Sequence, residues 1–123
     1  MPDRKKILVI DDDPNVCLFC RTVLAVEGHQ VFTATSAREG LALADSERPD
    51  LVILDIMMEE VDSGFQAARA LAAARPGLPI LMLSSIAGAA SGVFDTSTLP
   101  VAQLVDKPLD PTVLQRKVRA LLG

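Results

Sequence analysis

Four places in this sequence carry side chains that could do chemistry, and each stands directly after a short apolar run. Asp11, Asp12 and Asp13 follow Ile7-Leu8-Val9-Ile10, and Asp55 follows Leu51-Val52-Ile53-Leu54. Ser84 follows the segment Pro79 to Leu83, and Lys107 follows Val101 to Val105 with Asp106 between. If the runs are neighbouring parallel strands, acidic, hydroxyl and basic groups far apart in sequence meet at one edge of a sheet. Strands lie ~4.8 Å apart, so carboxylates on adjacent strand ends can share one small ion. Without it, two carboxylates about 4 Å apart repel by about 4 kcal/mol at an effective dielectric of about 20. A hard divalent cation relieves that repulsion, and oxygen-only ligation suits Mg²⁺ better than zinc. Lys107 would add a fixed positive charge for a carboxylate or phosphoryl oxygen, and Ser84 a hydrogen-bond donor to the same oxygen.

The elements that must position these groups are legible as runs and caps. Ile7–Ile10 is apolar on both faces, as a buried parallel strand requires. Asp13-Pro14 opens a helix, with a carboxylate at the N-cap and proline at the first helical position. Val16, Cys20, Val23 and Leu24 recur along that helix at helical spacing, and Gly28 ends it. Gln30 to Ala34 reads as a second strand. Ser36-Ala37-Arg38-Glu39 is a capping box opening a helix to about Glu47. Leu51–Leu54 is the third strand, and a helix from about Gly64 to Ala74 is closed by Pro76-Gly77. Pro79 to Leu83 is the fourth strand, stopping at Ser84-Ser85. Residues 86–100, rich in Gly, Ala, Ser and Thr, predict a short or frayed helix. Val101 to Val105 is the fifth strand. Asp110-Pro111 repeats the cap-then-proline start for a last helix with Leu114, Val118, Leu121 and Leu122 on its apolar face. Five strands alternating with five helices make an α/β fold, a parallel sheet covered on both faces. In such sheets function gathers at the carboxyl ends of the strands, where strand order reverses.

Composition narrows the classes. With 123 residues the chain has room for one domain, and half of its residues are apolar, sixteen of them alanine. There is no Trp or Tyr and only four Phe, a poor equipment for stacking bases. A net charge of −4 makes a direct nucleic-acid partner unfavourable. No apolar run approaches the roughly 18 residues that span a bilayer. The start, Met-Pro-Asp-Arg-Lys-Lys, is not a signal peptide, so a reducing cytoplasm is the expected setting.

The stretches ILVIDDDP, DLVILDIMM, PILMLSS and LVDKP occur in this order at the strand ends. Together they make the chain resemble the receiver domain of two-component response regulators over essentially its whole length, 1–123. The resemblance implies a flavodoxin-like, doubly wound (βα)5 sheet of order 2-1-3-4-5. It implies that Asp55 accepts a phosphoryl group from a histidine kinase or phosphotransfer protein, with Mg²⁺ as the cofactor. Asp12 then matches a direct Mg²⁺ ligand, Asp11 a ligand through water, and the Met57 backbone carbonyl a further one. Ser84 matches the switch hydroxyl and Lys107 the invariant lysine, with a cis Lys107-Pro108 bond. A protein of this kind is no enzyme beyond phosphorylating and dephosphorylating itself, and it hands its signal to a downstream protein partner.

The sequence also departs from the family. Leu104 stands where an aromatic residue is usual, Asp106 where an apolar one is common, and Glu59 replaces a common proline. The usual Asp-Gly is lengthened to Asp62-Ser63-Gly64. Residues 86–100 are small and polar for a firm helix, so output through that stretch, the fifth strand and the last helix is expected to be altered. Met57 and Ile86, both bulky, flank the path of attacking water and imply slow loss of the phosphoryl group. A receiver that binds proteins without being phosphorylated is the competing reading.

Other readings of single motifs are weaker. Asp11-x-Asp13-x-Asn15 imitates a calcium loop, but Val16 and Thr22 occupy the positions that need Gly and Glu. It also imitates the nucleophile motif of haloacid-dehalogenase-like phosphatases, which would leave Asp55 unexplained. Three carboxylates after the first strand would repel the phosphate of a flavodoxin-type cofactor. Cys17 and Cys20 have redox spacing but lie within the helix, so packing is their expected role. His29, just past the helix-ending Gly28, is expected at the surface.

Overall fold

A computed structural model describes residues 5–55, 63–85, 103–107 and 110–122, of which 63–65, 84–85 and 103–107 are described by their backbone alone. Met57, Ile86, Glu59, Pro108 and the helix expected within 86–100 lie outside the described residues. The order is β1 (Lys6–Ile10), α1 (Pro14–Val26), β2 (Gln30–Ala34), α2 (Ala37–Glu47), β3 (Leu51–Asp55), α3 (Ser63–Ala74), β4 (Ile80–Ser85), β5 (Gln103–Lys107) and α4 (Pro111–Leu122).

The helices start where short polar side chains replace missing backbone acceptors. Asp13 caps α1 by accepting from the Asn15 N–H at 2.9 Å, with Pro14 in the first turn. Ser36 caps α2 by accepting from the Glu39 N–H at 3.1 Å. Asp110 caps α4 by accepting from Thr112 and Val113 at 2.8 and 3.1 Å. At its far end α1 closes in a Schellman turn: the Gly28 N–H reaches Ala25 and the His29 N–H reaches Leu24, with Gly28 at φ +87°. That left-handed backbone suits glycine.

All strand pairs are parallel, in the order β2-β1-β3-β4-β5. Alternation along the strands divides the core in two. Leu8, Ile10, Val52, Leu54, Ile80 and Met82 face one side, under α2 and α3 with Ala44, Ala67 and Leu71. Ile7, Val9, Leu51, Ile53, Leu81 and Leu83 face the other, under Cys17, Cys20 and Leu24 of α1 and Leu114 and Val118 of α4. Strands covered on both faces need no polar side, which is why the runs at 7–10 and 51–54 are apolar throughout. Two contacts bind the last helix to the first: Gln115 Nε2 donates to the Val23 carbonyl at 3.0 Å, and Arg119 pairs with Glu27.

The strands on the far side run further than their composition predicts. β4 continues through Ser84 and Ser85, and β5 continues to Lys107, with Ser84 opposite Asp106 and Ser85 opposite Lys107. Ladder bonds are made by backbone groups, so polar residues extend a parallel strand as long as a neighbour is beside them. No described helix is long and apolar enough to cross a membrane.

Candidate functional site

Register brings the acids together. β1 and β3 are neighbours, with Ile10 opposite Leu54, so Asp11 and Asp55 are the next residues on two adjacent strands. Both are buried, at 0% and 1% exposure. Asp12, half-buried, joins them: one carboxylate oxygen from each of Asp11, Asp12 and Asp55 lies within 4.8 Å of the others. Asp13 does not belong to this group. It is exposed and spends its carboxylate on the α1 cap, while its N–H donates to Asp11 Oδ1 at 2.9 Å.

The loop carrying the acids is fixed by backbone as well. The Asp11 N–H continues the sheet by donating to the Ala34 carbonyl at 3.0 Å, and the N–H groups of Val16 and Cys17 return to the Asp13 carbonyl at 3.1 and 3.2 Å. Taking two carboxylates out of water and setting a third beside them is unfavourable unless positive charge arrives. The donor set is all oxygen, which suits a hard cation of the Mg²⁺ kind and not zinc. Opposite ligands of an octahedral Mg²⁺ stand about 4.2 Å apart, from bonds of about 2.1 Å. Oxygens within 4.8 Å of one another could reach one such ion.

On the far side of Asp55 the sheet continues toward the remaining candidates. Asp55 pairs with Leu83, and Ser84 is the next residue of β4. Lys107 ends β5 opposite Ser85. Backbone register therefore sets Asp55, Ser84 and Lys107 on three consecutive strands at the same edge of the sheet.

Two expectations about other residues come out differently. Cys17 and Cys20 are both buried thiols, consistent with packing, but Cys17 does more than fill space: its Sγ lies 3.3 Å from the Asp11 carbonyl oxygen and 3.7 Å from that of Ala34. Burial pushes this thiol above its ordinary 9.0, the nearby Asp11 carboxylate adds to the effect, and a hydrogen bond with the Asp11 backbone opposes it. His29 is half-buried rather than fully exposed, its N–H turned back by the Schellman turn to the Leu24 carbonyl at the end of α1. Its Nδ1 is inaccessible and makes no hydrogen bond among the described residues. Desolvation lowers its pKa below 6.5, with Lys5 acting in the same sense and Glu27 against it. Nothing in the local sequence signalled the Cys17 contact, since it depends on where Ala34 arrives.

A parallel sheet with helices on both faces and a carboxylate cluster at its carboxyl edge, where β1 and β3 adjoin, defines a class of α/β proteins that handle small ligands or groups at that edge. Within that class the chain belongs to the response regulator receiver domain family, whose family model matches residues 7–119. It is 32% identical over 125 residues to the alkaline phosphatase synthesis transcriptional regulatory protein PhoP of Bacillus subtilis (strain 168). That alignment covers 96% of this chain and 48% of PhoP, so the chain spans about half the length of this relative. Among solved structures, NtrX from Brucella abortus in complex with ADP is similar with a TM-score of 0.89 at 26% identity, over 98% of this chain and 27% of that one. A CheY-like response regulator receiver domain protein from Methanospirillum hungatei gives 0.84 at 26% identity, over 98% and 94%.

Proposed function

We propose that residues 1–123 form one cytoplasmic receiver unit of a two-component system. It takes a phosphoryl group from a histidine kinase or phosphotransfer protein onto Asp55 and changes its protein partner as a result. The observation that carries this reading is the cluster of Asp11, Asp12 and Asp55, with oxygens within 4.8 Å at the carboxyl edge of the sheet. Membership of the receiver family supports it.

In this reading Asp12 and Asp55 would hold Mg²⁺ directly and Asp11 through water, with the Met57 backbone carbonyl as the further ligand the family resemblance implies. When bound, Mg²⁺ supplies positive charge that offsets the phosphoryl oxygens beside three carboxylates. An Asp55 carboxylate oxygen attacks phosphorus in line, and the bond from phosphorus to the donor's nitrogen breaks as the new bond forms. Lys107 pairs its ammonium with a phosphoryl oxygen. Ser84 donates a charge-assisted hydrogen bond to the acylphosphate, and through Ser84 and Lys107 the surface offered to partners is altered. The unit catalyses only its own phosphorylation and dephosphorylation.

The test is intact mass after incubation with acetyl phosphate, with and without Mg²⁺. One added phosphoryl group is expected, lost without Mg²⁺ and lost in Asp55→Ala. A chain that gains no adduct and forms no beryllofluoride complex would instead be a protein-binding module independent of phosphorylation.

A further inference from the structure

We propose that Cys17 is a positioning residue for the acidic site, its thiol holding the main chain of Asp11 in place. This rests on the reading of Asp11, Asp12 and Asp55 as a Mg²⁺ site. Three of the links that fix the loop involve Cys17. Its Sγ touches the carbonyl oxygens of Asp11 and Ala34, at 3.3 and 3.7 Å, and its N–H donates to the Asp13 carbonyl at 3.2 Å. The Asp13 N–H in turn fixes Asp11 Oδ1 at 2.9 Å, and the Asp11 N–H is held on Ala34 at 3.0 Å. One residue thus ties together the end of β1, the end of β2 and the start of α1. The thiol is buried at 5% exposure, and Asp11 and Ala34, whose carbonyls it touches, are buried too. A thiol is a weak donor, and the Ala34 carbonyl keeps the Asp11 N–H as a second partner, but removing one hydrogen bond from a buried carbonyl still has a cost. Residues that orient metal ligands from behind typically change metal affinity without touching the ion.

The test uses the full chain, Mg²⁺ alone as titrant in calorimetry, and two substitutions. Cys17→Val keeps an apolar side chain, somewhat larger, and removes the donor; Cys17→Ser keeps a donor and gives up volume. Cys17→Val is expected to bind Mg²⁺ about three- to tenfold more weakly, while Cys17→Ser stays within about twofold of the parent. With acetyl phosphate, Cys17→Val should need correspondingly more Mg²⁺ for half-maximal phosphorylation and reach the parental rate at saturation. Cys17→Val that melts cooperatively without Mg²⁺ yet binds the ion as the parent does would overturn the proposal. Equal weakening in Val and Ser would overturn it too, because that is the signature of packing alone. If Cys17→Val fails to fold, Cys17→Ala takes its place in the comparison. Failure of the underlying Mg²⁺ reading is told apart because the unsubstituted chain would then give no binding heat.

Discussion

Gly40 of α2 lies so close to Ile10 of β1 that a Cβ added to it would stand 2.4 Å from Ile10 Cδ1 and 2.6 Å from Cγ1. Ile10 is fully buried and is the residue before Asp11, so α2 is seated directly behind the acidic loop. Glycine inside a helix costs about 1 kcal/mol relative to alanine, and here that cost is accepted in exchange for close approach.

Gly40→Ala is therefore expected to lose about 1–3 kcal/mol of stability in urea denaturation, although helix propensity alone predicts a gain. A variant more stable than the parent would show that the Ile10 side chain gives way.

Asp12→Asn removes one of three neighbouring negative charges. Without Mg²⁺ it is expected to be about 1 kcal/mol more stable than the parent. At tenfold its Kd, Mg²⁺ should stabilise the parent by about 1.4 kcal/mol, roughly 5 °C in Tm, and leave the variant nearly unchanged. Thermal melts of both proteins with and without the ion decide this. An equal Mg²⁺ gain in both would remove Asp12 from the site.

His29 carries a pH dependence whose sign is set by its surroundings. Its folded pKa lies below the ordinary 6.5, so the unfolded chain binds the proton first. The associated stability is present above pH 6.5 and is lost as the pH falls from there through the lower folded value. Melting temperatures measured from pH 7.5 to pH 5 should fall less steeply in His29→Gln than in the parent. Parallel slopes would mean that the ring gains its proton without cost to the fold.

How much of this could be read in advance follows from which interactions are local. The strands at Ile7–Ile10 and Leu51–Leu54, and the caps Asp13, Ser36 and Asp110, are written in neighbouring residues, and the structure bears them out. The meeting of Asp11, Asp12 and Asp55 was legible because two apolar runs each end at an acid, and β1 and β3 pair in register. The seat of Gly40 on Ile10, the Cys17 contact with Asp11 and Ala34, and the burial of His29 were not legible. Each depends on how one element lands on another, and neither spacing nor composition encodes that landing. The ends of β4 and β5 were missed for a related reason. Ser84, Ser85, Asp106 and Lys107 look like strand breakers by composition, yet backbone pairing carries the ladder through them.

The two faces of the sheet become complete at different times while the chain is being made. Among the described residues, the layer under α2 and α3 has all its buried side chains once Met82 has emerged, whereas the opposite layer, begun at Ile7, waits for Leu114 and Val118. At about 5–20 residues per second, the stretch from Leu83 to Leu114 and Val118 keeps that face open on the ribosome for roughly 2–7 s. During this interval Leu51, Ile53, Leu81 and Leu83 are shielded on that side, among the described residues, by α1. Nascent-chain chaperones would therefore meet this protein on one particular face, and a stop codon shortly before Leu114 would leave that face permanently without its second helix.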